Sequence, residues 1–100
     1  MQDIAEHTNQ TRIICAPETM LGGPDALAFN DAVRTLSTQC KHIIIDCSQV
    51  QIMNSSGLGM LVSAQTTMKQ VGGFCSLNNV PEQVRKLLEM TRLLPLFEAP

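Results

Sequence analysis

Apolar and polar positions follow two rhythms along the 100 residues. Thr11 to Ala16 reads Thr-Arg-Ile-Ile-Cys-Ala, a short apolar run that Pro17 closes, and it predicts a strand. The preceding segment, Asp3 to His7, can pair with it as a hairpin across a Thr8-Asn9-Gln10 turn. After Gly22, Gly23 and Pro24 the apolar residues Leu27, Ala28, Ala32, Val33 and Leu36 return at steps of one, three and four. That is the stripe of a surface helix over 24–38. His42 to Cys47 holds three consecutive isoleucines, stiff at the β-carbon and apolar on both faces, which predicts a central strand covered by helices on each side. Residues 48–53 read as a linker.

Leu58, Leu61, Val62, Gln65 and Met68 then share one face of a second helix, which stops at Gly72-Gly73, where a glycine can take the left-handed conformation. Phe74 to Leu77 predicts a short strand, and Val80-Pro81-Glu82 opens a third helix with Val84, Leu87 and Leu88 on one face. The tail from Leu93 to Phe97 is apolar but broken by Pro95, and both a short strand and a docked segment fit it. Together these elements predict one α/β domain over 1–100, a mixed four- to five-stranded sheet packed with three to four helices.

Composition narrows the function. Hydrophobic residues make up 44% of the chain and charged ones 16%, enough to fill one core and too apolar for a disordered tail. Seven basic and nine acidic residues give a net charge of -2 with no basic cluster, and three Phe are the only aromatics outside histidine, so neither phosphate binding nor base stacking has a visible source. Nucleic acid is excluded as an expected partner. No run approaches the roughly 20 apolar residues of a membrane span, and the N-terminus lacks the basic-then-apolar order of a secretory signal, so a cytoplasmic protein without membrane insertion is expected. Cys15, Cys40, Cys47 and Cys75 are widely spaced among apolar residues, and His7 and His42 are not spaced as partner ligands. Reduced, buried thiols and no metal or cofactor are expected.

The stretch from Ile43 to Ala64 carries the candidate chemistry. A buried strand leads through a turn to two hydroxyls, Ser55 and Ser56, at the start of a helix in which Gly57 and Gly59 permit close backbone approach. Asn54 or Ser55 can cap that helix, and a hydroxyl there also suits phosphorylation, because a phosphate meets free N–H donors and the positive end of the helix dipole. Cys47 has no neighbouring cation to activate it and reads as a packed small residue, Asp46 as a turn former. Met60 falls off the Leu58-Leu61-Val62 stripe and is expected to be exposed. One hydroxyl pair without a base or metal cluster does not make a nucleophilic site, so an enzyme is not expected.

Asp46-x-Ser48-x-Val50, followed by Ile52-Met53-Asn54-Ser55-Ser56-Gly57-Leu58-Gly59, resembles the signature of STAS domains, specifically the single-domain bacterial anti-sigma factor antagonists. The resemblance continues through Gly72-Gly73 and the pattern Val84-x-x-Leu87-Leu88-x-Met90-Thr91-x-Leu93, about the last 60 residues. It implies a STAS-type sandwich and a partner-switching role. An anti-sigma factor that is also a serine kinase binds the unphosphorylated chain and phosphorylates Ser55, which releases it, and a serine phosphatase resets it. The implied partner surface is Asn54, Ser55, Ser56, Gly57, Leu58 and Met60. The alternative is a constitutive STAS accessory subunit of a larger assembly, such as a lipid-transport ABC complex or a stressosome-like scaffold.

The chain departs from the family pattern at Asn54, where an acidic residue is usual, and between Ala16 and Met20, where Glu18 is the only acid. Asn54 keeps the size and capping ability and lacks the charge. Two consequences stand open: slower phosphorylation of Ser55, or a partner adapted to a neutral group.

Overall fold

The computed structural model describes residues 11–98. Its strands are β1 (Thr11–Cys15), β2 (Thr19–Met20), β3 (His42–Asp46), β4 (Ile52–Met53) and β5 (Phe74–Asn78). The helices are α1 (Pro24–Ser37), α2 (Ser55–Gln70) and α3 (Glu82–Met90), and a 3₁₀ turn over Leu94–Phe97 follows. Three strands form one sheet in the order β1-β3-β5, and β2 pairs with β4 in a separate two-stranded ribbon. Every pairing among the described residues is parallel. The hairpin expected from Asp3 to His7 lies outside those residues.

Parallel pairing demands crossovers, and α1 and α2 supply them, packing against each other on one face of the sheet. Ile43 and Ile45 of β3 and Cys75 of β5 point into that core with Val33 of α1 and Leu61, Ala64 and Met68 of α2. The expectation that β3 is covered on both faces is wrong among the described residues. Strand alternation turns Ile44 away from the core, into a row with Ile13 of β1, 68% exposed, and Ser76 of β5. The same alternation exposes Cys15 at the end of β1, against the expectation of four buried thiols, while Cys40, Cys47 and Cys75 are buried. Burial, reinforced by Asp46, pushes the Cys47 thiol up to about 11, and burial with Cys40 nearby pushes Cys75 to about 12. These are packed thiols without thiolate character at neutral pH.

The glycine stop of α2 is as its sequence implies. Gly72 takes φ 77, and the Gly72 and Gly73 N–H groups donate to the Lys69 and Met68 carbonyls at 3.1 and 2.7 Å. Gly73 also serves a close approach, since a β-carbon there would overlap the Lys41 carbonyl oxygen. The apolar tail is a docked 3₁₀ turn rather than a strand, with Phe97 buried. Residues 48–53 are more ordered than a linker: the Glu18 carbonyl accepts from the Gln51 and Ile52 N–H groups at 2.8 and 3.2 Å, which sets the β2–β4 ribbon in place.

Candidate functional site

The ribbon delivers the chain to the N-terminus of α2. Asn54 is the N-cap in extended conformation, and its Oδ1 accepts the Gly57 N–H at 3.0 Å. Its own N–H donates to the Met20 carbonyl at 3.4 Å, the bond that closes the Met20–Met53 pair of the ribbon. Ser55 and Ser56 follow in the first helical turn, both exposed. Capping therefore falls to Asn54 and leaves the Ser55 hydroxyl unused by the helix. Ser56 has a neighbour in Gly22, whose β-carbon, if present, would stand 3.2 Å from the Ser56 β-carbon. Gly22 and Gly23 both hold positive φ, 95° and 69°, which lets the chain turn sharply from β2 into α1 beside the serines.

Gly57 is buried for a reason internal to the fold. A β-carbon there would overlap the Met20 carbonyl oxygen, so the backbone that Gly57 admits is the chain's own β2. Gly59, by contrast, is exposed with open space above it.

Met60 corrects the sequence expectation. It is 3% exposed, because α2 packs on the sheet and on α1 at once and its buried face widens to Gly57, Leu58, Met60, Leu61, Ala64 and Met68. The sequence pattern of Leu58, Leu61 and Val62 implies a narrower stripe, and Val62 is only half-buried. Of the six residues read as a partner surface, the structure brings Asn54, Ser55 and Ser56 to the exterior and places Gly57, Leu58 and Met60 beneath them. Two exposed aliphatics beside the site were missed: Ile52 on β4, 54% exposed, and Leu21 just after β2, 46% exposed. Each adjoins a methionine of the ribbon, Met20 or Met53, and two-residue strands leave no periodicity to read.

The local electrostatics are spare. No acid occupies the first turn of α2, so the positive end of its dipole is unopposed from within that turn. Asp46 serves the turn after β3: its Oδ1 accepts from the Ser48 N–H at 3.0 Å and from Asn79 Nδ2 at 3.2 Å, and these bonds hold the carboxyl below its ordinary range. Gln83 on α3 braces the approach to the site by donating from Nε2 to the Gln51 carbonyl at 2.6 Å. Among the described residues no three His, Cys, Asp or Glu side chains come together as a metal site, and no helix is long and apolar enough to cross a membrane.

The STAS domain family matches this sequence over residues 2–99, the whole of the fold and site just described. The chain belongs to the STAS family. Over 63 residues it is 32% identical to the anti-sigma F factor antagonist of Paenibacillus polymyxa, a match covering 60% of this chain and 54% of that protein. This STAS chain thus spans about half the length of the curated relative it matches. Its fold is that of the anti-sigma factor antagonist SpoIIAA in its unphosphorylated form, with a TM-score of 0.74, 21% identity, and coverage of 88% of this chain and 77% of the other. The phosphorylated form of the Bacillus cell fate determinant SpoIIAA superposes with a TM-score of 0.70 at 20% identity, covering 88% and 80%. In this STAS domain the β2–β4 ribbon, separate from the main sheet, leads directly into the capped helix and its two exposed serines.

Proposed function

We propose that this STAS chain is an anti-sigma factor antagonist that binds an anti-sigma factor through the α2 N-terminus and is released by phosphorylation of Ser55. The role is regulatory rather than enzymatic, within a cytoplasmic partner-switching system whose kinase is the anti-sigma factor itself and whose reset is a serine phosphatase. The observation that carries the reading is the exposed Ser55 hydroxyl in the first turn of α2, next to a cap supplied by Asn54. The curated relative named as an antagonist supports the same role.

The physics of release follows from the surface. A phosphate on Ser55 adds about -1.5 to -2 charge where helix N–H donors and the dipole tolerate it, so the fold of the free protein survives. Against a partner it must be desolvated, which costs several kcal/mol unless a cation answers it. The same charge is therefore harmless in the free chain and disruptive in the complex.

The test is phosphoryl transfer. Purified chain is incubated with ATP and each ATP-binding anti-sigma factor encoded in the same genome, and the modified residue is located by mass spectrometry. Phosphate on Ser55, absent from Ser55→Ala, is the expected result. No incorporation with any of them, together with stable co-purification of a transporter complex, contradicts the reading and favours the accessory-subunit alternative.

A further inference from the structure

Asn54 spends its side-chain oxygen inside the fold. Oδ1 accepts the Gly57 N–H, and a donor demands an acceptor, so the oxygen faces the helix and the NH₂ group turns outward. Gly57 is fixed in turn by the Met20 carbonyl seated against it. Rotating the amide would leave the Gly57 N–H without its partner. Asn54 Nδ2 makes no hydrogen bond among the described residues. Ile52, two positions earlier on β4, lies on the same side of the extended chain as Asn54, and Leu21 follows directly on the paired strand β2. Both aliphatics are about half exposed. The patch thus offers outward donors with an exposed aliphatic on the same side of the strand, at the positive end of a helix whose first turn holds no carboxylate.

Resting on the antagonist reading above, we infer that Asn54 is a specificity-determining residue: its outward NH₂ group calls for a hydrogen-bond acceptor on the partner, a carboxylate or a main-chain carbonyl, beside apolar groups that cover Ile52. This reverses the polarity of the contact that an acidic residue would make. A partner built to meet a carboxylate here presents Lys or Arg, and against Asn54 that cation would face a donor.

Calorimetric titration of wild type, Asn54→Asp and Asn54→Ser against each purified anti-sigma factor of the same genome tests this. Asp and Ser cap a helix about as well as Asn, so thermal midpoints of the free chains should coincide and separate binding from folding. Asn54→Asp should bind roughly tenfold or more weakly, because its carboxylate confronts an acceptor that has lost its donor. Asn54→Ser, with a shorter side chain, should lose a smaller factor. A salt series tells the two acceptor sources apart. With a partner carboxylate the Asn54→Asp loss shrinks as ionic strength rises, and with a carbonyl it stays. Equal or tighter binding by Asn54→Asp overturns the inference and leaves the antagonist reading standing. No binding of wild type by any anti-sigma factor overturns both.

Discussion

Single side chains do distinct work around this site, and their substitutions should separate cleanly. Asn54→Ala removes the acceptor for the Gly57 N–H and should cost about 1 kcal/mol of stability, whereas Ser55→Ala, which touches no cap, should cost almost none. Urea unfolding of the two variants checks the difference. Asp46 governs a pH response. Its carboxyl is held below the ordinary 3.8 by the Ser48 N–H and Asn79, so the stabilisation is present above that value and is lost as pH falls through the lower folded value. Unfolding midpoints measured from pH 5 down to pH 2 should therefore fall less steeply for Asp46→Asn than for wild type. An identical acid slope would show that the turn draws nothing from the charged form. The Asn54 cap and the Asp46 turn were both legible as residue types suited to those places, because short polar side chains satisfy nearby backbone groups whatever the surrounding fold. Met60 was not legible, because its burial depends on α1 lying alongside α2, a contact that no local period records.

Two elements owe their positions to contacts that the hydrophobic pattern does not express. The N-terminus of α2 is keyed to β2 by Gly57, and Gly57→Ala must push the Met20 carbonyl aside, which should destabilise by about 1–3 kcal/mol. The other case is Gln65, a buried amide on the inner face of α2. Its Oε1 accepts the Cys75 N–H at 2.7 Å, and its Nε2 donates to the Cys75 and Leu96 carbonyls at 2.9 and 2.6 Å. It thereby satisfies the backbone of β5 as a neighbouring strand would and ties the 3₁₀ turn to the sheet. Gln65→Leu leaves these groups buried and unpaired and should cost roughly 3 kcal/mol. Faster hydrogen exchange at the Cys75 amide would mark the loss, and unchanged protection there would contradict the role. Gln65 was readable as a member of the helix stripe but not as a clamp, since its partners lie 10 and 31 residues away. The long helices and the isoleucine strand were readable from the sequence because each repeats its period over several residues. The ribbon strands of two residues were not, and with them went Leu21 and Ile52.

At the scale of the molecule the serines of α2 stand outside the packed interior. The core runs through β3, β5 and the inner sides of α1, α2 and α3 and takes in Met20 of β2, while Ser55 is exposed in the first turn of α2. A charge placed on Ser55 therefore enters no packed layer, and Ser55→Asp should unfold at the same denaturant concentration as wild type, within experimental error. Its carboxylate carries less charge than a phosphate, so the variant should weaken anti-sigma factor binding without abolishing it. The proposed release by phosphate on Ser55 is tested by the affinity of one anti-sigma factor for the unphosphorylated chain and for the chain fully phosphorylated at Ser55, both measured calorimetrically. Phosphorylation should weaken binding at least tenfold while the thermal midpoint of the free chain holds steady; equal affinities for the two forms would rule out a release signal at Ser55.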